Sequence, residues 1–371
     1  MKYQFRKKRN IFVVSILDAV GYAARRFFPP HSSPLKDSPH FLVIRLDHIG
    51  DVLLATAVPK ALKEKYPSVR VTFLTSSVSK ALLEGNPFID EILVYDAPWF
   101  ARGAKRAASI GFFALGRKLR ALRIDVALGL RGDLRENFLM NFARIPKRVG
   151  FGVTGGGFWL TDEVLYRQGI HEEKYLKDLL ATIGIPTKTL RPQLYLSAPE
   201  EELFNQKRKA WGLDAGTPWV GFQAEAGSAS KEWPAENQKK FFELFASRFP
   251  GHGLVFLGSQ PKSLELPSNL KYLNLTGKTS LRDLLGVLPA LKAFVGPDSG
   301  PTHIASAMGI PTIFLYSGTN VFDRWRPLAE NAKVLRYSVP CSPCFLTRCS
   351  VAGHPCMTQI TPEEVIKAIH P

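Results

Sequence analysis

Residues 41–76, FLVIRLDHIGDVLLATAVPKALKEKYPSVRVTFLTS, decide the fold class of this chain. The apolar run FLVIRL (41–46) predicts a buried strand, VLLATAVPKALKEKYP (52–67) has the spacing of a helix, and RVTFLTS (70–76) returns as a second strand. The short joints between them are typical of a β-α-β unit with a right-handed crossover. We therefore expect a parallel sheet.

The same alternation continues through the chain in two stretches. The first has predicted strands at 91–96 and 125–130 and a basic helix at 110–123; the second has a charged helix at 200–212, strands at 219–225, 253–259, 271–277 and 293–298, and helices at 235–248, 280–291 and 361–369. Residues 146–170 are predicted to be a loop that is flexible at the GGG of 155–157. We expect an α/β protein with two Rossmann-like doubly wound domains, 41–200 and 201–371, joined near 196–218 and facing a central cleft.

The charge of the chain narrows the class of partner. The 371 residues include 49 bases and 32 acids, a formal net charge of +17. Such a field favours nucleic acid, an acidic membrane surface or a phosphorylated substrate, and a merely soluble basic protein is the plain alternative. GxxxxGK[ST] is absent, so P-loop chemistry is not indicated. The pattern GxGxxG occurs at 150–155 (GFGVTG), but it lies within the predicted loop and not between a strand and a helix, so dinucleotide chemistry is not indicated either. A helix-turn-helix, RRM or zinc-finger pattern is also missing, which argues against a nucleic-acid partner.

Residues 1–40 form a basic extension before the first predicted strand. Bases at positions 2, 6, 7, 8 and 9 precede a short apolar run, on which Ser15, Asp18, Tyr22 and Arg25 place a polar stripe. We expect a helix on an anionic membrane surface. A signal peptide and an ordinary packed helix are the alternatives. The run is too short to span a bilayer, and no later segment is long and apolar enough.

The first strand ends in RLDHIGDVLLAT (45–56), and ligands of doubly wound sheets bind at such strand-to-helix junctions. Gly50 permits a sharp turn, and Asp51 falls at or near the helix N-cap. The plain interpretation is that Asp51 caps the helix. The functional interpretation is a general base, kept ionised by the helix dipole, which accepts a proton from a hydroxyl nucleophile. Asp47 competes for that role, and His48 is interpreted as a loop residue.

A second junction is FQAEAGSASKEWP (222–234). Ala226, Gly227 and Ser228 allow close approach of a ligand to the backbone, and Lys231 stands just before a predicted helix. A Gly/Ser loop with a lysine at a helix entrance suits a diphosphate. The alternative is that Lys231 is an ordinary solvated lysine.

The third junction, DSGPTHIA (298–305), lies between a predicted strand and a helix of about two turns. Ser299 and Gly300 offer N–H groups at the N-terminus of this helix. The helix dipole disfavours a charged His303, so His303 suits a neutral donor to an oxyanion. The alternative is a buried histidine held by a carbonyl, with Asp298 as a helix cap.

The four cysteines, Cys341, Cys344, Cys349 and Cys356, lie within PCSPCFLTRCSVAGHPCM (340–357). With His354 nearby, this C-x2-C-x4-C-x6-C pattern is a candidate zinc site, although it lacks the wider gap between ligand pairs of zinc ribbons. Disulfides and reduced thiols in a compact loop are the alternatives.

Three segments carry a resemblance to a known family. FLVIRLDHIGDVLLATAVPKALKEKYP (41–67), GFQAEAGSASKEWP (221–234) and LTGKTSLRDLLGVLPALKAFVGPDSGPTHIASAMGIPTIFLYSGT (275–319) resemble the heptosyltransferases of glycosyltransferase family 9. The similarity runs from about residue 41 to the C-terminus in the same order, and the third segment is the most specific. The first 40 residues lie outside it.

The resemblance implies a GT-B architecture, with the acceptor on the N-terminal domain and the nucleotide-sugar on the C-terminal one. It implies inverting transfer of heptose from ADP-L-glycero-D-manno-heptose to the inner core of lipopolysaccharide, with no bound metal or other cofactor. Asp51 matches the family's proposed catalytic base and Lys231 its donor-phosphate lysine. The remaining donor-binding matches are Ala226, Gly227, Ser228, Asp298, Ser299, Gly300, Thr302 and His303.

One departure concerns the nucleotide. Relatives usually carry an acidic residue near the ribose after the strand corresponding to 253–259, whereas Lys262 stands near that place here and Glu265 follows. A transferase that uses another nucleotide-sugar for a different surface glycan therefore stays an alternative, as does a non-catalytic protein that binds anionic polymers. The expected location is the cytoplasmic face of the inner membrane, where a peripheral enzyme meets its lipid A–core acceptor.

Overall fold

The computed structural model describes residues 8–30, 35–100, 110–213 and 216–369. The chain divides into two compact units between Tyr195 and Leu196. The bases predicted to attract lipid at Lys2, Arg6 and Lys7 lie outside the described residues, as does the side chain of Lys8.

Within the described residues, unit 1 contains a parallel sheet of six strands in the order β3-β2-β1-β4-β5-β6. The strands are β1 (His40–Ile44), β2 (Arg70–Thr75), β3 (Glu91–Val94), β4 (Val126–Gly129), β5 (Lys147–Gly150) and β6 (Asp162–Glu163). The chain progresses outward from β1 in one direction and from β4 in the other. This reversal creates a crevice at the carboxyl ends of β1 and β4, the usual ligand position in doubly wound sheets.

The helices of unit 1 cover the sheet. They are α1 (Lys8–Phe27), α2 (Ile49–Ala55), α3 (Ala57–Lys65), α4 (Phe112–Ala121), α5 (Leu134–Phe142) and α6 (Glu172–Thr182). Leu42, Ile44, Leu115 and Leu139 belong to a core in which strand residues pack against α4 and α5. Each strand of the central pair is buried along its whole length, as expected for a sheet covered on both faces.

Unit 2 repeats this plan over the residues described there, with the strand order β12-β11-β10-β7-β8-β9. Its strands are β7 (Trp219–Gln223), β8 (Gly253–Leu257), β9 (Lys271–Asn274), β10 (Leu291–Pro297), β11 (Thr312–Tyr316) and β12 (Ala332–Arg336). The order reverses between β7 and β10, so the corresponding crevice lies at their carboxyl ends.

The helices of unit 2 are α7 (Ala198–Ala210), α8 (Ala235–Arg248), α9 (Leu281–Val287), α10 (Gly300–Ala307), α11 (Phe322–Trp325), α12 (Pro355–Thr358) and α13 (Pro362–Ala368). Phe222, Phe241 and Phe256 stack in the core between β7, β8 and α8. At the C-terminal helix, Thr361 and Glu364 form the capping box that the Thr-Pro-Glu-Glu start predicts.

The structure corrects the prediction of a loop over 146–170. This segment contains β5, β6 and a 3-10 turn, Gly157–Trp159. The GGG at 155–157 is not a flexible point, because the Gly156 N–H donates a 2.8 Å hydrogen bond to Asp18 on α1. Gly155 and Gly156 have φ values of +96° and +73°, which favour glycine.

In the described parts of the chain, no helix combines the length and the hydropathy needed to cross a bilayer.

Candidate active site

A cluster of charged side chains occupies the crevice of unit 1. Arg45 and Asp47 follow β1, Asp51 lies in the first turn of α2, and Arg131 follows β4. Glu172 reaches the cluster from the first turn of α6. The cluster therefore stands where the strand order of the sheet reverses.

Arg45 is the centre of this cluster, and it is 1% exposed. Its Nε donates to Asp47 Oδ1 at 2.7 Å, its Nη2 to Asp51 Oδ1 at 2.8 Å, and its Nη1 to Glu172 Oε1 at 2.9 Å. Burial opposes the charge on Arg45, but the three carboxylates outweigh it and hold the pKa of the guanidinium above its ordinary value. Arg45 thus remains a fixed cation that orients all three acids.

Charge balance in the cluster decides the protonation of Asp51. The guanidinium groups of Arg45 and Arg131 meet the carboxylates of Asp47, Asp51 and Glu172, which leaves one negative charge in excess. Burial and the neighbouring Asp47 raise the pKa of Asp51 to about 7, although Arg45 opposes this rise. The pKa of Asp47 is lowered instead: burial raises it, and the two arginines outweigh burial. Asp51 is therefore the carboxylate that exchanges a proton near neutral pH.

The geometry excludes the plain interpretation of Asp51 as a helix cap. His48 is the N-cap residue of α2, and no side chain caps this helix. The expectation that the helix dipole keeps Asp51 ionised is also opposed, since burial and Asp47 raise its pKa. Gly50 lies inside the first turn of α2 rather than at a sharp turn. No atom lies within 4 Å of the position that a Cβ on Gly50 would take, so the backbone is open to a ligand there.

In unit 2, Asp298 follows β10, and three polar side chains contact it there. It is 4% exposed. Lys231 Nζ donates to its Oδ2 at 2.7 Å and to its carbonyl at 3.0 Å. Asn320 Nδ2 donates to Oδ2 at 2.7 Å, and His303 Nε2 lies 3.0 Å from Oδ1. Burial raises the pKa of Asp298, but the hydrogen bond from His303 and the charge of Lys231 outweigh it and hold this pKa well below its usual range.

Gln223, the last residue of β7, ties this junction to the neighbouring strand. Ser299 Oγ donates to Gln223 Oε1 at 2.7 Å, and Thr302 Oγ1 donates to the same oxygen at 3.3 Å. Thr302 is fully buried. It therefore supports the loop from behind, and the half-buried Gly300 offers its backbone N–H at the N-terminus of α10.

Both interpretations of His303 need correction. A carboxylate only accepts, so the proton on Nε2 is given to Asp298 and a neutral His303 has no N–H left for an oxyanion. The histidine is also not buried against a carbonyl, because its side chain is 21% exposed and its partner is a carboxylate. Ser299, not Asp298, is the N-cap residue of α10.

The Gly/Ser loop leads into a 3-10 turn, Ala229–Lys231. The Ala226 N–H donates to Glu232 Oε1 at 3.3 Å, and Ser228 Oγ lies 3.3 Å from Ser230 Oγ. A Cβ on Gly227 would meet nothing within 4 Å, so this part of the loop is open. Lys231 is 19% exposed and ion-paired, which opposes its interpretation as an ordinary solvated lysine.

The loop after β8, where an acidic residue near the ribose is expected, does not bring an acid of its own to that position. Lys262 Nζ donates to the Ala224 carbonyl at 3.2 Å, and Glu265 is exposed and paired with Lys239. Glu225, which follows β7, accepts a 2.9 Å hydrogen bond from Ser259 Oγ. A carboxylate thus stands beside the end of β8, but it comes from the adjacent strand.

The cysteine segment contacts the Lys231 loop. All four cysteines are free thiols, and the described residues contain no group of three or more His, Cys, Asp or Glu able to hold a metal ion. The Ser230 N–H donates to the Thr347 carbonyl at 3.1 Å, and His354 Nε2 lies 3.0 Å from the Ser230 carbonyl. Cys341, Cys344, Cys349 and Cys356 thus stand as reduced thiols in one segment, where burial and the three other cysteines raise the pKa of Cys356.

Five site residues were missed in the sequence: Arg45, Arg131, Glu172, Gln223 and Asn320. Arg45 and Gln223 carried a signal, because a charged or polar side chain interrupts or ends an otherwise apolar strand run. The other three join their clusters from distant segments, and no local pattern marks them.

The two Rossmann-like units, each with polar side chains at the switch point of its sheet, have the GT-B type of fold. A family model, glycosyltransferase family 9 (heptosyltransferase), matches residues 112–354, more than half of the chain. The chain belongs to this family and is a glycosyltransferase.

Named relatives extend the match over nearly the whole chain. Lipopolysaccharide heptosyltransferase 2 of Salmonella typhimurium is 26% identical over 351 residues, which cover 89% of this chain and 97% of that protein. Among solved structures, E. coli ADP-heptose LPS heptosyltransferase II has a TM-score of 0.70 at 22% identity, covering 89% of this chain and 97% of the other. A family 9 glycosyl transferase from Veillonella parvula has a TM-score of 0.75 at 23% identity, covering 91% and 98%.

Proposed function

We propose that this chain transfers heptose from ADP-L-glycero-D-manno-heptose to the inner core of lipopolysaccharide, with inversion at the anomeric carbon. Family membership and relatives named as lipopolysaccharide heptosyltransferases support the substrates. The observation that carries the mechanism is Asp51, a buried carboxylate oriented by Arg45 whose pKa is raised to about 7. A general base works best when its pKa lies near the operating pH.

Asp51 acts on the acceptor. It takes the proton of an acceptor hydroxyl as the hydroxyl oxygen attacks the anomeric carbon of the donor. The bond between that carbon and the donor diphosphate breaks on the opposite side, so configuration inverts. The proton ends on Asp51, and the electron pair of the broken bond leaves with ADP.

Lys231 and the N-terminus of α10 act on the leaving group. Two of the three N–H donors of Lys231 are used by Asp298, which fixes the ammonium and leaves a third donor for a phosphate oxygen. The N–H group of Gly300 adds the partial positive charge of a helix N-terminus. Both contributions strengthen as negative charge gathers on the diphosphate, which is the requirement for catalysis.

The residues near the expected ribose position support a second candidate function. Because Lys262 stands where relatives carry an acid, a related transferase that uses another nucleotide-sugar for a different surface glycan is the second candidate. Glu225, bonded to Ser259, supplies the carboxylate for a ribose hydroxyl in the first candidate.

The acceptor sets the location of the enzyme. Lipid A–core is an anionic glycolipid, so the chain works as a peripheral protein at the cytoplasmic face of the inner membrane. The net charge of +17 suits such a surface.

A thermal-shift panel of ADP, UDP and GDP, followed by transfer assays with ADP-heptose, tests the proposal. ADP is expected to raise the melting temperature most, because a ligand stabilises the folded state in proportion to its affinity. ADP-heptose is expected to be consumed only when a truncated inner-core acceptor is present. A preference for UDP or GDP, without turnover of ADP-heptose, favours the second candidate and overturns the first.

A further inference from the structure

Helix α1 turns its polar side chains toward unit 1. Asp18 is 2% exposed, and its Oδ1 accepts the 2.8 Å hydrogen bond from the Gly156 N–H. Tyr22 donates from its hydroxyl to Glu163 Oε2 at 2.5 Å. Arg25 donates to carbonyls of the same segment. The polar stripe of the sequence is therefore the packing face of the helix.

The opposite face of α1 is apolar and exposed. Phe12, Ile16, Val20 and Phe27 follow one another at helical spacing and are 67%, 52%, 65% and 81% exposed. The row extends for about 22 Å along the helix. A helix on a water-soluble surface normally buries its apolar face, so α1 is inverted. A row of this size marks a surface that is covered by an apolar partner.

Ring contacts join α1 to α5 in one layer of unit 1. Tyr22 packs against Phe158 with ring centroids 6.0 Å apart, and Phe158 against Trp159 at 4.4 Å. Trp159 packs against Phe138 of α5 at 5.0 Å. Helix α4 lies beside α5 in the same layer. Helix α1, the 3-10 turn, α5 and α4 are therefore consecutive neighbours in unit 1.

The segments that carry these helices are basic. Residues 1–36 contain a single acid, the inward-facing Asp18, and residues 97–124 contain none. On α4 and after α5, Arg117, Arg120 and Arg144 line a cavity of about 290 Å³. Within the described residues, none of these three guanidinium groups bonds to another side chain. Cations placed around an open cavity favour an anionic occupant.

We propose that this layer docks on the surface of an anionic lipid bilayer, with the apolar face of α1 among the lipids and the arginines against phosphate headgroups. A bilayer supplies the apolar interior and the negative charge together. A second copy of this chain would bring two strongly basic surfaces into contact, which repel. The inference deepens the proposed function, on which it rests, by assigning the surface through which the transferase reaches a lipid-linked acceptor.

Flotation of the full-length protein with vesicles tests the surface. Vesicles of phosphatidylglycerol and phosphatidylcholine in equal parts are compared with vesicles of phosphatidylcholine alone. Wild-type protein is expected to float only with the anionic vesicles. Ile16→Asp combined with Val20→Asp is expected to lower the bound fraction by roughly tenfold or more, because two apolar side chains lose their place in the lipid.

Two further variants sharpen the test. Leu203→Asp, at a 46% exposed leucine on α7 of unit 2, is the matched control and should float as the wild type does. Arg117→Glu combined with Arg120→Glu should lower binding by roughly fivefold or more per charge, and the loss should shrink as salt is added. Circular dichroism establishes that each variant is folded.

The outcomes separate this inference from the proposed function. Transfer to a delipidated core oligosaccharide should be unchanged in the α1 variant, whereas transfer to acceptor in vesicles should fall. If the Ile16→Asp/Val20→Asp variant floats as well as the wild type, the proposed docking surface is wrong. It is also wrong if the wild-type protein forms dimers through α1 and does not float. Flotation as expected without transfer to any acceptor overturns the proposed function and leaves the docking surface in place.

Discussion

Arg45 donates from Nη2 to Asp51 Oδ1 at 2.8 Å, in a position where the guanidinium is almost fully buried. The same cation holds Asp47 and Glu172. Arg45 therefore fixes the direction of the Asp51 carboxylate, while burial and the neighbouring acids raise the pKa of that carboxylate. Orientation and basicity of one side chain come from a single buried cluster.

Asp51→Asn removes the proton acceptor while keeping the size of the side chain and a hydrogen bond to Arg45. We expect the turnover rate to fall by roughly 10²- to 10⁴-fold, the usual contribution of a general base. ADP binding, measured by calorimetry, should be unchanged, since the proposed donor contacts lie in unit 2. Wild-type turnover in this variant would refute the role of Asp51.

The pKa of about 7 for Asp51 predicts the acid limb of the activity profile. Asp51 is protonated below this value and cannot accept a proton. We therefore expect kcat/KM to fall by about tenfold per pH unit below pH 7 and to level off above it. A profile that stays flat down to pH 5 would contradict the assignment.

The same pKa has a consequence for stability. Since the folded pKa of Asp51 lies above the ordinary value of 3.8, the folded chain binds more protons than the unfolded chain between about pH 4 and pH 7. The contribution of Asp51 to the free energy of unfolding is thus lost as pH rises through this window. Asp51→Asn should remove that slope in urea titrations.

Glu172→Gln tests whether charge in the cluster sets the basicity of Asp51. Glu172 is one of the neighbours that raise the pKa of Asp51, although burial and Asp47 act more strongly. Removing its charge should shift the acid limb of kcat/KM to lower pH while the amide keeps a contact with Arg45. Glu173→Gln, next in the chain and bonded to the Leu190 N–H, is the control and should leave the limb in place. If the acid limb of kcat/KM lay at the same pH in the wild type, Glu172→Gln and Glu173→Gln, the charge of Glu172 would not influence the pKa of Asp51.

Lys231→Ala should weaken the binding of the donor diphosphate. We expect kcat/KM for the donor to fall by roughly 10²-fold, the scale found when a group that stabilises transition-state charge is removed. Lys239→Ala is the matched control, because Lys239 and its partner Glu265 are largely exposed, and such pairs contribute little. Equal donor kinetics in both variants would exclude Lys231 from the site.

Much of the fold could be predicted because long apolar runs alternate with amphipathic segments. The helix predicted at 235–248 is confirmed as α8 with the same bounds. The prediction failed over 146–170, where β5 and β6 are only four and two residues long. β5 reads KRVG and β6 reads DE, so neither carries the apolar run by which β3 and β4, which are also four residues long, could be predicted.

The site was visible only in part. Asp51, Lys231 and Asp298 are polar residues at strand-to-helix junctions, and the sequence singles out each of them. Their partners could not be predicted, since Glu172 and Asn320 lie 121 and 22 residues away from the acids that they accompany. The error on His303 has the same origin: the partner of its Nε2 is a matter of side-chain geometry.

The packing of α1 leads to a last prediction, which tests whether this helix is part of the folded structure of unit 1. Asp18 is buried and bonded to the Gly156 N–H, so Asp18→Ala leaves a buried donor without its partner. The free energy of unfolding should fall by roughly 1–3 kcal/mol, the cost of such a group. Leu17→Ala, at the adjacent 37% exposed residue, should change it by less than about 0.5 kcal/mol. Urea denaturation followed by tryptophan fluorescence measures both variants, and Trp159, in the 3-10 turn that contacts α1, reports on this region. Equal stability of the two variants would mean that α1 is not part of the folded unit.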